Sequence, residues 1–299
     1  MRQNEGTGLL FALAGFATLS FGDAVVKSMA GQWAPTAIAA LRYLLGAVGL
    51  SAILLARQGP AGFAMPLPWI QLVRGVAVAM ATVGFFSAIF VMPLAAATAI
   101  TFTSPMLTAL LAAMVLGEPA RRETWIASSI AFMGVLIVLR PSFASVGWAA
   151  LLPLLSALGM SLLMIANRHV AGKASALAMQ VFVATMGTLA LLVATIALHF
   201  SGIAALQVGW PSGVVIAKCA LVACTASLAH GLIYLGTTRA GAASIAPMTY
   251  VQLLVATLLG WLWFDSHPDA MTLLGAVVII AAGLYLWRAG RVQEPGMTD

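Results

Sequence analysis

Apolar residues along this chain come in long blocks, broken by short polar or Pro/Gly-containing stretches. About 20 consecutive apolar residues span a bilayer as an α-helix. Windows of that length, cut at the breaks, predict ten spans: 7–28, 35–56, 69–91, 95–116, 123–140, 147–168, 176–200, 213–236, 241–264 and 270–288. The breaks carry turn punctuation: Arg57-Gln58-Gly59-Pro60, Gly117-Glu118-Pro119, Arg140-Pro141, Trp210-Pro211 and His267-Pro268. The loops are short, and no soluble domain, linker or low-complexity tract interrupts the series.

Composition supports lipid as the solvent. The chain is 62% hydrophobic and 7% charged, with a mean hydropathy of +1.05, whereas a soluble domain carries about 25% charged residues. The fold class is therefore an all-α integral membrane protein. The N-terminus has Arg2, Glu5 and no small-residue cleavage site, so it reads as a first membrane helix, not a signal peptide. The net charge of +6 is explained by loop placement and implies no nucleic acid. Arg2, Arg57, Arg121, Arg122, Arg168, Lys173, Arg239, Arg288 and Arg291, nine in all, fall on the N-terminal side, against Lys27 and Arg140, two, on the other. That bias predicts both termini in the cytoplasm. Cys219 and Cys224 are five apart in one apolar segment and read as packing residues, with no disulfide or metal implied.

The halves repeat. TFTSPMLTALLAAMVLGEP (Thr101–Pro119) and SIAPMTYVQLLVATLLGWLWF (Ser244–Phe264) each open an aliphatic run on Pro-Met, at Pro105-Met106 and Pro247-Met248. Each run lies in the fourth span of a five-span half and ends at an acid, Glu118 or Asp265. Each is followed by a span with a glycine near its end, Gly134 or Gly283, that closes on Arg140 or Arg288. Five is odd, so the second half enters the membrane from the opposite side. The pattern predicts two inverted five-helix repeats, 1–144 and 145–299, around a central cavity.

The prolines raise a physical question, because each removes a backbone donor inside an apolar run. Pro105 would free the carbonyl of Thr101, and Pro247 that of Ala243. A carbonyl freed in lipid must find a side chain, a water or a ligand. Thr101, Thr103 and Ser104 stand beside the first and Ser244 beside the second. The kinks are either repaired locally or form a bending pair that lines the cavity.

Ionisable groups inside spans are functional candidates. Asp23 in span one and Arg42 in span two are predicted at similar depth. They either satisfy each other near the interface, with Lys27 as a second partner for Asp23, or meet the ammonium and carboxylate of a zwitterion. Arg74 and Lys218 lie near span ends and can snorkel. His230 and Tyr234 share a face of span eight, and Tyr250 follows Pro247 on the neighbouring span. The three either line the cavity or make ordinary interhelical bonds, and His230 could titrate and couple transport to protons. Met160 and Met164 in span six, with Phe21 and Phe86, would suit a permissive apolar pocket or a plain core.

The two Pro-Met stretches, with HGLIYLGTTRAGAASIAPMTY (His230–Tyr250), resemble the drug/metabolite transporter superfamily in its ten-helix EamA-type branch, and within it the bacterial amino-acid exporters. The resemblance covers essentially the whole chain. In the second half Asp265-Ser266 stands where Gly-Glu is expected, and an acid that caps the following helix would act there from one position earlier. The resemblance implies a secondary transporter of the bacterial inner membrane that works as a monomer by alternating access, without a cofactor. Spans one, three, four, six, eight and nine are expected around the cavity, with five and ten as scaffold. The implied substrate is a small metabolite, most of all an amino acid, aromatic or otherwise apolar. An amine, nucleoside or drug-like cation is the alternative. An enzyme finds little support, since H-E-x-x-H, G-x-S-x-G, G-x-G-x-x-G and P-loop patterns are missing. A channel would need a filter of polar groups, which oligomer symmetry usually supplies.

Overall fold

The computed structural model describes residues 2–115, 122–240 and 245–291, and among them helices and turns account for all regular structure. The α-helices are α1 (Arg2–Lys27), α2 (Pro35–Gln58), α3 (Pro68–Val91), α4 (Leu94–Thr101), α5 (Ser104–Val115), α6 (Arg122–Val146), α7 (Leu152–Val170), α8 (Ala176–His199), α9 (Gly213–Ala240), α10 (Val251–Phe264) and α11 (Ala270–Arg291). Short 3-10 turns lead into α7 (Gly147–Leu151) and α10 (Ala246–Tyr250). Eight helical stretches are long and apolar enough to cross a membrane, and two shorter apolar stretches, Trp125–Arg140 and Ala270–Tyr285, lie within α6 and α11. Among the described residues each predicted span falls largely on helix, the fourth being divided at Phe102-Thr103. Trp69, Trp125, Trp148 and Trp210 stand exposed close to helix ends, where amphipathic rings anchor a span at the interface.

The spans pack in a pattern that exchanges the two halves. The first span (α1) pairs with the eighth (α9), and the third (α3) with the sixth (α7). The second (α2) pairs with the seventh (α8), the fifth (α6) with the tenth (α11), and α4 of the fourth with α10 of the ninth. Replacing each span by the one five places along returns the same set of pairs. Even the polar ties correspond. Ser20 Oγ of α1 donates to the Gln252 carbonyl of α10 at 2.9 Å, and Ser161 Oγ of α7 donates to the Ser104 carbonyl of α5, also at 2.9 Å.

Small residues decide which pairs close. Lipid tails offer no hydrophobic gain for helix association, so backbones approach where side chains are small. A Cβ on Gly236 would fall 2.8 Å from the Gly8 carbonyl oxygen across the α1–α9 contact. In the α3–α7 contact, a Cβ on Gly159 would meet Ala81 N at 2.5 Å and Ala77 O at 2.7 Å. In α6–α11, Gly134 faces Gly275, so Gly275 is its packing counterpart. Gly283, paired with it by sequence, instead receives the Tyr250 ring.

Three breaks differ from expectation. Pro105 does not kink a continuous helix. The chain leaves helix at Phe102-Thr103 and restarts at Ser104, so Pro105 stands in the first turn of α5, where its missing N–H costs no helical bond. The Ile100 carbonyl at the break is met locally, with Thr103 N and Thr103 Oγ1 both donating to it at 3.1 and 2.8 Å. Pro247 likewise sits at the start of its 3-10 turn. Residues 116–121 and 241–244, with Gly117, Glu118, Arg121, Ala243 and Ser244, lie outside the described residues. The expected break at Arg140-Pro141 is helical through to Val146, and Ser142 Oγ donates to the Val138 carbonyl at 3.3 Å. Asp265 does not cap the helix that follows. It ends α10 in the left-handed region, φ 47°, while Asp269 Oδ1 accepts from Thr272 N at 2.7 Å and caps α11.

A Gly159→Ala protein is expected to lose about 1–3 kcal/mol of stability through overpacking against the α3 backbone. Gly46→Ala, with nothing within 4 Å of the added methyl, is the control. Thermal unfolding of the purified proteins in detergent checks the difference.

Candidate functional site

The tight α1–α9 and α3–α7 contacts leave a space bounded by α2, α3, α8 and α9. It is a cavity of about 540 Å³. From α2 its wall takes Arg42, Tyr43, Gly46, Leu50, Ile53 and Arg57. Those positions recur at helical spacing along one stripe, so α2 presents a single face running from Arg42 to Arg57. At 1.5 Å per residue that face is about 22 Å long. The start of α8 supplies Gln180 and α9 supplies Ser227, His230 and Tyr234. Exposed Arg57, Ser175 and Ala176 form the rim at one end.

Arg42 marks the other end. Its guanidinium lies over the Tyr43 ring at 4.8 Å and the Phe86 ring at 5.6 Å, so aromatic faces hold the cation. Among the described residues it makes no hydrogen bond or ion pair, which leaves its five N–H donors for whatever enters. Asp23 lies within electrostatic range of Arg42 without a direct ion pair. Asp23 is half-buried and is not among the residues that line the cavity. His230 is within electrostatic range of the same guanidinium. Its Nδ1 lies 2.7 Å from the Ala226 carbonyl, which can only accept. Nδ1 therefore carries the proton, and Nε2 is left as the second ring atom for a partner.

Beyond Arg42 the bundle is shut. Lys27 does not pair with Asp23; its Nζ donates to the Ile89 and Met92 carbonyls at the end of α3, at 2.6 and 2.8 Å, and lies 5.5 Å from the Phe264 ring. A cation on these carbonyls suits the negative end of the helix dipole. Lys218 Nζ donates to the Ser28 carbonyl at 3.3 Å, and Trp33 Nε1 to the Gly209 carbonyl at 2.8 Å. These contacts tie α1, α3, α9 and two loops at one end of the bundle. The cavity lies toward the other end.

The remaining candidates lie apart from this lining. Phe21 packs edge-on to Trp263 at 5.6 Å. Tyr250 meets Phe102 edge-on at 5.4 Å. Thr101 Oγ1 donates to its own helix at the Ala97 carbonyl, and the Ser104 carbonyl receives Thr108 and Ser161. Met160 is half-buried and Met164 exposed on α7. Arg74 does not snorkel: it is buried, donating from Nε to Asn167 Oδ1 at 2.7 Å and from a terminal nitrogen to Gln71 Oε1. It is a tie between α3 and α7 made through neutral acceptors.

Sequence reasoning placed spans one, three, four, six, eight and nine around the cavity and left out α2 and α8 as walls. Arg57 was read as a loop charge, and Tyr43, Gln180 and Ser227 were passed over. The available signal was the α2 stripe, with arginines at both ends and Gly46 between.

An all-helical bundle with a mainly apolar cavity, carrying a few polar groups and shut at one end, suits a membrane transporter. Residues 6–140 match the EamA-like transporter family. Similar proteins include a riboflavin transporter of Rhizobium johnstonii, 29% identical over 78% of this chain and 75% of that protein. A Rickettsia prowazekii S-adenosylmethionine uptake transporter is 22% identical over 93% and 92%. The pseudopaline exporter CntI of Pseudomonas aeruginosa is 28% identical over 94% and 96%. A crystal structure covering 98% of this chain and 99% of its own superposes with a TM-score of 0.59 at 19% identity, which shows the fold. The chain is a multi-pass membrane transporter of small metabolites, not an enzyme.

In a protein carrying Cys219→Ala and Cys224→Ala, Ser227→Cys is expected to react with an impermeant maleimide applied from the Arg57 side and not from the Lys27 side. Labelling of oriented vesicles checks which end of the cavity is open.

Proposed function

We propose that the chain exports a small zwitterionic metabolite, of amino-acid type, by alternating access, with Asp23 and Arg42 as the poles of its binding site. The observation that carries this reading is the separation of the two charges. They lie within electrostatic range of each other inside membrane-spanning helices, yet neither makes a hydrogen bond or ion pair among the described residues. Unpaired intramembrane charges are costly and mark substrate or ion paths. A ligand carboxylate on Arg42 and its ammonium on Asp23 would satisfy both, with Tyr43, Phe86 and Tyr234 as apolar surface. His230 would add one hydrogen bond through Nε2.

In this reading the repeats are residues 1–144 and 145–299, and the protein acts as a monomer in the bacterial inner membrane with both termini in the cytoplasm. The Arg57 end of the cavity then faces the cytoplasm, so the structure corresponds to an inward-open state, ready to load for export. The relatives include an uptake transporter and an exporter. Direction therefore rests on the resemblance to exporters together with the loop charges. The Pro105 and Pro247 turns are the bending points, because each stands where a span is divided or begins.

Counterflow of radiolabelled L-phenylalanine in proteoliposomes tests the assignment, within a screen that also holds amines and nucleosides. Asp23→Asn and Arg42→Gln are each expected to lower the initial rate at least tenfold, since a lost partner for a buried charge costs about 2–5 kcal/mol. Full rates in both variants, or counterflow of amines and nucleosides alone, would remove the zwitterion.

A further inference from the structure

The cavity is larger and more basic than an amino-acid headgroup requires. About 540 Å³ lies within the range of sites that enclose drug-sized ligands, roughly 300–1,000 Å³. A headgroup on Arg42, with Asp23 behind the lining, would occupy only its closed end. The side chains that carry fixed charge in the wall are Arg42 and Arg57, and no aspartate or glutamate lines it. Both arginines stand on the same stripe of α2, one at each end. Among the described residues Arg57, like Arg42, makes no hydrogen bond or ion pair.

Two like charges along one low-dielectric passage repel each other and raise the potential between them. An acidic group arriving at either end relieves that cost. Asp23 can offset Arg42 because it lies within electrostatic range of it, but it is toward the far end from Arg57. Between the two cations the wall offers the Gln180 amide, the Ser227 hydroxyl and the Tyr234 ring. Leu50, Ile53, Val78, Leu177 and Val183 complete a mainly apolar wall, which fits an aromatic or aliphatic linker carrying few polar groups.

We infer that the ligand is an amino acid extended by a second acidic group, with its amino-acid end at Asp23 and Arg42 and its distal acid at Arg57. This rests on the zwitterion reading above and adds the substrate's length and net negative charge. Arg57 is then a specificity-determining residue at the rim. A guanidinium suits a carboxylate there because its fork offers two parallel donors.

The test uses the purified full-length protein in nanodiscs and three probes: γ-L-glutamyl-L-phenylalanine, its C-terminal amide, and L-phenylalanine. The dipeptide has an amino-acid group at one end and a carboxylate at the other, which the amide neutralises. Calorimetry is expected to give the acid about fivefold tighter binding than the amide, the scale of a partly exposed ion pair. Arg57→Gln should bring that ratio to about one, and Arg57→Lys should retain part of it. Raised salt should shrink the wild-type ratio. Equal binding of acid and amide by the wild type, an unchanged ratio in Arg57→Gln, or no binding of the acid overturns the inference. L-phenylalanine separates it from the underlying reading. If Asp23→Asn and Arg42→Gln abolish its binding while the acid-to-amide ratio is one, the zwitterion site stands and the distal acid falls. If neither variant affects it, the zwitterion site falls as well.

Discussion

In lipid a backbone carbonyl that loses its helical donor must be met by another protein group, and the divided spans of this protein are arranged around that constraint. Helix α4 stops at Thr101 and α5 restarts at Ser104, with the Thr103 hydroxyl covering the Ile100 carbonyl. The Ser104 carbonyl takes hydroxyls from Thr108 and Ser161. The end of α3 is met by the Lys27 ammonium. Each repair reaches across elements or along one, so the places where helices break are also the places where spans are joined. A proline at such a restart is cheap, because the first turn of a helix needs no donor from it.

Close packing determines where space remains. Glycines bring α1 against α9 and α3 against α7 so closely that their backbones touch. Helix α8 also comes close to α3, where a Cβ on Gly75 would fall 2.5 Å from the Met186 carbonyl carbon, and with α2 and α9 it encloses the cavity. The chemistry of that space follows from what is missing. Arg74 is satisfied by Asn167 and Gln71, and Lys27 by carbonyls, whereas Arg42 rests on two aromatic rings that accept no hydrogen bond from its edge. Of the buried cations, Arg42 is the one presented to the cavity.

Much of this was legible in the sequence. The long apolar blocks gave the helical bundle, and the Pro-Met pair pointed to a relation between its halves. Arg42, His230 and Tyr234 were candidates on the ground that polar groups inside spans are rare, and they do line the cavity. Tyr250 was chosen by the same logic but turns toward Phe102 and Gly283, because its 3-10 turn points the ring at α11 and away from α9. Asp265 was given a capping role that Asp269 performs, since the chain reverses through a left-handed residue before α11 begins.

Periodicity and composition by themselves determined the solvent and the helical secondary structure, because lipid admits few ways to satisfy a backbone. Which helices touch, and which charges stay unpaired, was decided only by tertiary structure. Those outcomes depend on which small residues meet across a contact. Arg42 and Arg74 look alike as single cations in apolar runs, and only the surrounding helices make one a structural tie and the other an open pole of the cavity.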